Sequence, residues 1–243
     1  YIFQERFFFL NGKKIPKNVA YNFPQSFTEV NLITKDNETI NALHFKLEKS
    51  KGVILFFHGN KGNLRRWGNI VSYLLEYEYE VFVIDYRNYG KSTGSFNELK
   101  MYDDALLAYN HLTTKFSEDK IVVYGRSLGA TFAAKVASEN NPMHLILEAP
   151  FYNLKKATQF YFVLSPTFLI KYPFRTDLLI DKVASPVTFF HGDQDKTTSF
   201  DHSKELFKLV NSQQKEFVSI PTATHHNVKD YKIYTSKMKS ILE

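Results

Sequence analysis

Residues 121 to 137 read Ile-Val-Val-Tyr-Gly-Arg-Ser-Leu-Gly-Ala-Thr-Phe-Ala-Ala-Lys-Val-Ala, and Ser127 sits between two changes of pattern. A β-branched run stops at Gly125, and a small-residue helical pattern starts just past the serine. Gly-x-Ser-x-Gly between a strand and a helix is the sequence form of a nucleophile elbow. Glycines at 125 and 129 allow a sharp turn and a close approach of strand and helix. The hydroxyl then lies at a helix N-terminus, where backbone N–H groups stabilise negative charge. Alone, the pentapeptide weighs little. At ordinary glycine and serine usage, chance produces one in a chain this long roughly one time in ten. A serine nucleophile also requires a base, an acid to orient the base, and donors for an oxyanion.

The chain offers candidates for each. His191-Gly192-Asp193-Gln194-Asp195 holds two aspartates. Asp195 stands further out and is placed to reach a histidine, whereas Asp193 suits the turn itself. Thr224-His225-His226-Asn227 holds two histidines of near-neutral intrinsic pKa, and the residues alone leave His225 and His226 both open as general base. Glu148, at the end of another apolar run, is an alternative acid, with a buried structural carboxylate as its competing reading. His58-Gly59-Asn60-Lys61-Gly62-Asn63 is a glycine-rich loop that can turn a backbone N–H into a site. The N–H groups of Asn60 and Leu128 are the expected oxyanion donors. Asp85-Tyr86-Arg87 reads instead as a structural hydrogen-bond network.

These residues must be positioned by regular elements. Thr28–Ile33 and Thr39–Leu47 alternate as half-buried strands and form an expected antiparallel hairpin. Six short apolar runs follow, at Val53–Phe57, Val81–Ile84, Ile121–Tyr124, Leu145–Leu147, Val187–Phe190 and Phe217–Ile220. Runs of this kind are buried on both faces of a sheet. Helical patterns over Met101–Leu112, Ser127–Ala137, Phe200–Val210 and Val228–Leu242 alternate with them. The expected fold is α/β, a mostly parallel sheet with helices on both faces. Chemistry in such sheets gathers at the carboxyl ends of the strands. Each candidate lies just past a run.

Composition narrows the function classes. The 243 residues, 44% hydrophobic, suit a single domain spanning 1–243. With no cysteine, thiolate metal sites, disulfides and a cysteine nucleophile are excluded. The histidines form no metal-binding motif, so neither metal nor cofactor is expected. The net charge is +6, but scattered lysines supply it and only six residues are arginine. That is a basic soluble surface rather than a nucleic-acid site. Attraction to an anionic membrane surface stays open. The first ten residues are strongly aromatic, and Lys13, Lys14 and Lys17 follow. Residues 1–27 read as an N-terminal extension, either packed over the domain or touching an interface.

With these motifs in hand, the chain resembles the α/β-hydrolase superfamily, in its Bem46-like branch of ABHD13-like serine hydrolases. The resemblance rests on Phe57-His58-Gly59-Asn60 with Gly62-Asn63, and on Asp85-Tyr86-Arg87 with Tyr89-Gly90-Lys91-Ser92. It continues through Gly125-Arg126-Ser127-Leu128-Gly129, Glu148-Ala149-Pro150, His191-Gly192 with Asp195, and His225 with Asn227. The order Ser127, Asp195, His225 is that of this superfamily. The resemblance implies Ser127 as nucleophile, Asp195 as acid and His225, the first histidine of the last loop, as base. Asn37 and Asn88 stand where the family usually has glycine, and asparagine tolerates the left-handed region. Members often carry an N-terminal anchor, so a membrane-associated protein held by a segment before Tyr1 is expected, and otherwise a cytoplasmic one.

Between residues 151 and 176 lies an aromatic, lid-like segment too short for a large cap domain. Its density suits an acyl chain, with Phe151 and Tyr152 as expected pocket residues. The reading is a serine hydrolase acting on carboxylic esters or thioesters of a small or acylated substrate. A serine peptidase, or a non-catalytic membrane-associated scaffold on the same fold, are the alternatives.

Overall fold

The structure, a computed structural model, describes residues 14–161 and 166–243. The first thirteen residues of the extension, and 162–165 of the lid-like segment, lie outside the described residues.

Eight strands form one sheet in the order β1-β2-β4-β3-β5-β6-β7-β8. The expected hairpin is β1 (Phe27–Ile33) and β2 (Thr39–Phe45), paired antiparallel with Leu32 opposite Ile40. It joins the rest through an antiparallel β2–β4 pairing. All later pairings are parallel. They connect β3 (Gly52–Phe57), β4 (Tyr79–Ile84), β5 (Ile121–Arg126), β6 (His144–Glu148), β7 (Val187–Gly192) and β8 (Lys215–Ile220).

A strand points successive side chains to opposite faces, and β3 shows the consequence. Val53, Leu55 and Phe57 pack into one core with α2 (Glu98–Thr113) and α3 (Gly129–Ala137). Ile54 and Phe56 face the other core, with α1 (Leu64–Val71) and α7 (Lys232–Leu242). Both cores are needed because a parallel sheet is covered on both sides. Each fully buried Leu, Ile, Val or Phe there contributes about 1.5–3 kcal/mol. Shorter helices α4 (Leu154–Tyr161), α5 (Asp177–Ile180) and α6 (Phe200–Lys208) complete the chain.

The described part of the N-terminal extension packs over the domain. Ile15, Tyr21 and Phe23 are buried, and the Tyr21 hydroxyl donates to Asn41 Oδ1 at 2.9 Å. Asn37 and Asn88 do occupy the left-handed region, with φ of 59° and 68°. No helix among the described residues is long and apolar enough to cross a membrane.

Candidate active site

The turn after β5 is made by the serine itself. Ser127 has φ of 53°, a left-handed conformation that costs a non-glycine residue on the order of 1–3 kcal/mol. Neighbouring backbone holds it there. Its N–H donates to the Glu148 carbonyl at 2.9 Å, and its carbonyl accepts from Ala130 at 3.0 Å. The two glycines serve close approach rather than the turn. A Cβ on Gly129 would stand 1.9 Å from the Phe57 carbonyl oxygen, and one on Gly125 would stand 2.5 Å from that of Gly129. Helix α3 therefore starts against β3 and β5, with Leu128 just before its first residue.

Four loops meet this turn around a pocket of about 350 Å³. Ser127, Leu128, Asn60, Phe151, His225 and His226 all line it. Asn60 is placed by Tyr89, whose hydroxyl donates to its side-chain oxygen at 2.8 Å. Behind that loop, His58 Nε2 lies 3.2 Å from Asp85 Oδ1, and Asp85 Oδ2 accepts the Leu64 N–H that opens α1. Asp85 is thus structural scaffolding.

His225 Nδ1 lies 2.7 Å from Asp195 Oδ2, with only 7% of the residue exposed. Asp195 also accepts from the Thr197 and Thr198 N–H groups and the Thr198 hydroxyl, at 2.7, 2.9 and 2.8 Å. His191 Nε2 stands 3.2 Å from the same carboxylate. Burial works to raise the Asp195 pKa, but hydrogen bonds from His191 and His225 outweigh it and hold the carboxyl well below the usual range. An ionised Asp195 fixes Nδ1 of His225 as the protonated nitrogen and leaves Nε2 as an acceptor. Asp193 accepts the Thr222 N–H at 2.8 Å and so closes the turn.

Two alternatives separate from this arrangement. Glu148 engages both oxygens elsewhere, one 3.0 Å from Arg126 Nε and one accepting the Tyr124 hydroxyl at 2.6 Å. Among the described residues no carboxylate pairs with His226, whose ring meets His225 edge-on at 5.3 Å. Burial first, then the charges of His225, Arg126 and Arg66, lower the His226 pKa. Phe151 is on the pocket wall, but Tyr152 is not. The Lys156 ammonium sits over the Tyr152 ring at 4.2 Å. The sequence reading also missed Arg126. From inside the elbow, its Nη2 donates to the His225 carbonyl at 2.5 Å while Glu148 holds its Nε. Arg126 thereby clamps the histidine loop to the end of β6. An arginine beside the serine, with a glutamate ending the next strand, was the available signal. Trp67, Arg66, Thr197 and Thr198 also belong to the wall, without any motif of their own.

A family model described as "Serine aminopeptidase, S33" matches residues 48–178. Protein bem46 of Schizosaccharomyces pombe is 30% identical over 84% of this chain and 73% of its own length. An uncharacterized membrane protein of Saccharomyces cerevisiae is 29% identical over 83% of this chain and 74% of its own length. An esterase from Pyrococcus furiosus has a similar fold, with a TM-score of 0.74 at 20% identity, over 94% of this chain and 98% of that one.

Proposed function

The chain belongs to the α/β-hydrolase family, in its Bem46/ABHD-like branch, and on that premise we propose that it is a serine hydrolase of carboxylic esters or thioesters. The observation that carries the reading is the 2.7 Å His225–Asp195 pair in the pocket that also holds Ser127 in its left-handed turn. Ser127 Oγ attacks the acyl carbonyl as His225 Nε2 takes its proton. The N–H groups of Asn60 and Leu128 hold the oxyanion, and the leaving alcohol or thiol departs with the proton from His225. Water then attacks the acyl-enzyme, giving its proton to His225, and the free acid leaves as Ser127 is reprotonated. Asp195 keeps the imidazole oriented and stabilises the imidazolium.

The acyl group has an apolar wall in Leu128, Phe151, Leu154 and Ala157. Ester chemistry is favoured over aminopeptidase chemistry by one feature of the wall. Recognition of a protonated amino terminus requires a carboxylate, and no Asp or Glu is among the described lining residues.

Two measurements test the proposal. A fluorophosphonate probe should label the protein at Ser127. Ser127→Ala should lose at least about 10³-fold in kcat on p-nitrophenyl butanoate with an unchanged circular dichroism spectrum. Turnover that survives in Ser127→Ala rejects the proposal.

A further inference from the structure

Trp67, the one tryptophan of the chain, is 3% exposed and forms one wall of the pocket. Its indole N–H donates to the Lys61 carbonyl at 2.9 Å, and the His58 ring stacks on it at 5.3 Å. The guanidinium carbons of Arg66 and Arg126 lie 5.7 and 5.5 Å from its centroid. The ring is thus fixed, and it holds two cations at the pocket. Room for one of them is built in, since a Cβ on Gly62 would stand 2.9 Å from Arg66 Cδ.

The two arginines differ in one respect. Arg126 is neutralised by Glu148, as Arg87 is by Asp36 and Asp104, and Arg175 by Asp177. Arg66 and Lys61 form no ion pair among the described residues, although both line the pocket. No carboxylate among the described lining residues offsets them, and the charge of Arg66 is felt next door, where it helps to lower the His226 pKa. A concave site of one sign concentrates ligands of the other. An arginine fork held on an aromatic face presents paired donors to a planar or tetrahedral oxyanion.

We propose that Arg66 and Lys61, ordered by Trp67, recognise an anionic oxyacid group, phosphate or carboxylate, carried by the acyl substrate. The inference rests on the ester reading of Ser127, and Arg66 acts in it as a specificity-determining residue.

Trp67 emission supplies a binding readout that needs no turnover. In Ser127→Ala protein, submicellar dodecyl phosphate should give a saturable change in emission. Its affinity should fall about tenfold or more in 0.5 M NaCl, and equally on adding Arg66→Ala or Lys61→Ala. Dodecyl maltoside binding as tightly as dodecyl phosphate would overturn the inference. Inorganic phosphate binding that tightly would overturn it too, because the site would then take a free oxyanion and not a substrate. In the wild-type enzyme, the kcat/KM ratio of 3-butanoyloxy-4-nitrobenzoate to p-nitrophenyl butanoate should exceed one and drop about tenfold in Arg66→Ala. Arg66-dependent binding in a protein that cleaves neither ester would leave the anion site standing and reject the ester reading. Cleavage of both esters with a ratio indifferent to Arg66 would do the reverse.

Discussion

Of the three His–Asp pairs among the described residues, His58–Asp85 and His225–Asp195 are built from the same residue types and are opposite in consequence. His58–Asp85 spans 3.2 Å with both side chains fully buried, and His58 Nδ1 lies 2.7 Å from the Gly59 carbonyl. Both ring nitrogens are occupied and Trp67 covers one face. His225–Asp195 spans 2.7 Å, and its histidine lines the pocket. The carboxylates titrate in opposite directions. Burial dominates at Asp85 and raises its pKa against His58, the Leu64 N–H and the charge of Lys14. At Asp195 burial acts the same way, but His191, His225 and Thr198 overcome it. A His–Asp pair is therefore not a catalytic device by composition. It can serve as one only where enough donors keep the carboxylate ionised and the imidazole borders a cavity, as His225 does.

Exchanging the carboxylates for amides tests this contrast most severely. Asp195→Asn should lower kcat by about 10⁴-fold, since the amide favours the wrong imidazole tautomer. Asp85→Asn should act on stability, because Asp85 holds the start of α1. Its kcat per folded molecule, measured by active-site titration, should change by less than about fivefold. Equal losses of kcat in the two variants would erase the distinction.

Arg126 is expected to act through the His225 loop. Arg126→Met should lower kcat by about 10- to 100-fold with a smaller change in KM, and added guanidinium should restore part of the rate. A loss that follows only the melting temperature, with no rescue, would make the clamp purely structural.

The opposed pKa shifts give a third test with a definite sign. Asp195 is depressed on folding, so its stabilisation is present above an unfolded carboxyl value of about 3.9 and is lost as pH falls through the folded pKa. Asp85 is raised, so its stabilisation is present below about 3.9 and is lost as pH rises through the folded pKa. Between pH 7 and 3, the melting-temperature advantage of wild type over Asp195→Asn should shrink. Its advantage over Asp85→Asn should grow across the same range. Parallel slopes would contradict the electrostatic account.

The smallest effect belongs to the loop that runs from His58 into the pocket. Tyr89→Phe removes the 2.8 Å hydrogen bond that places Asn60, and should cost about 1 kcal/mol of stability and a few-fold in kcat. No change in either quantity would free Asn60 from dependence on Tyr89.

Much of the fold was legible because it follows from local rules. Every apolar run became a strand, with ends shifted by one or two residues, as at Tyr79 and Gly192. The helix expected over Val228–Leu242 begins later, because Val228–Asp230 is a 3-10 turn and α7 starts at Lys232. Helix α1 was not read as a helix of its own. Its eight residues include a glycine at 68, which is selected by Phe23 packing where a Cβ would be and not by helix propensity. Tyr152 failed as a pocket residue for a related reason. Aromatic density reports burial without saying which side of a segment faces the cavity.

By itself, then, the sequence determined the succession of the strands and of the four longest helices, the elbow around Ser127 and the short set of histidines and acids beside it. Period-two and helical patterns, glycine spacing and turn residues act over a few positions, so they are written in a few positions. Only the tertiary structure decided partners. Asp195 meets His225 across 30 residues, and Arg126 reaches its carbonyl across 99. A repeat pattern encodes which face a side chain takes, whereas its partner depends on where separate strand ends converge.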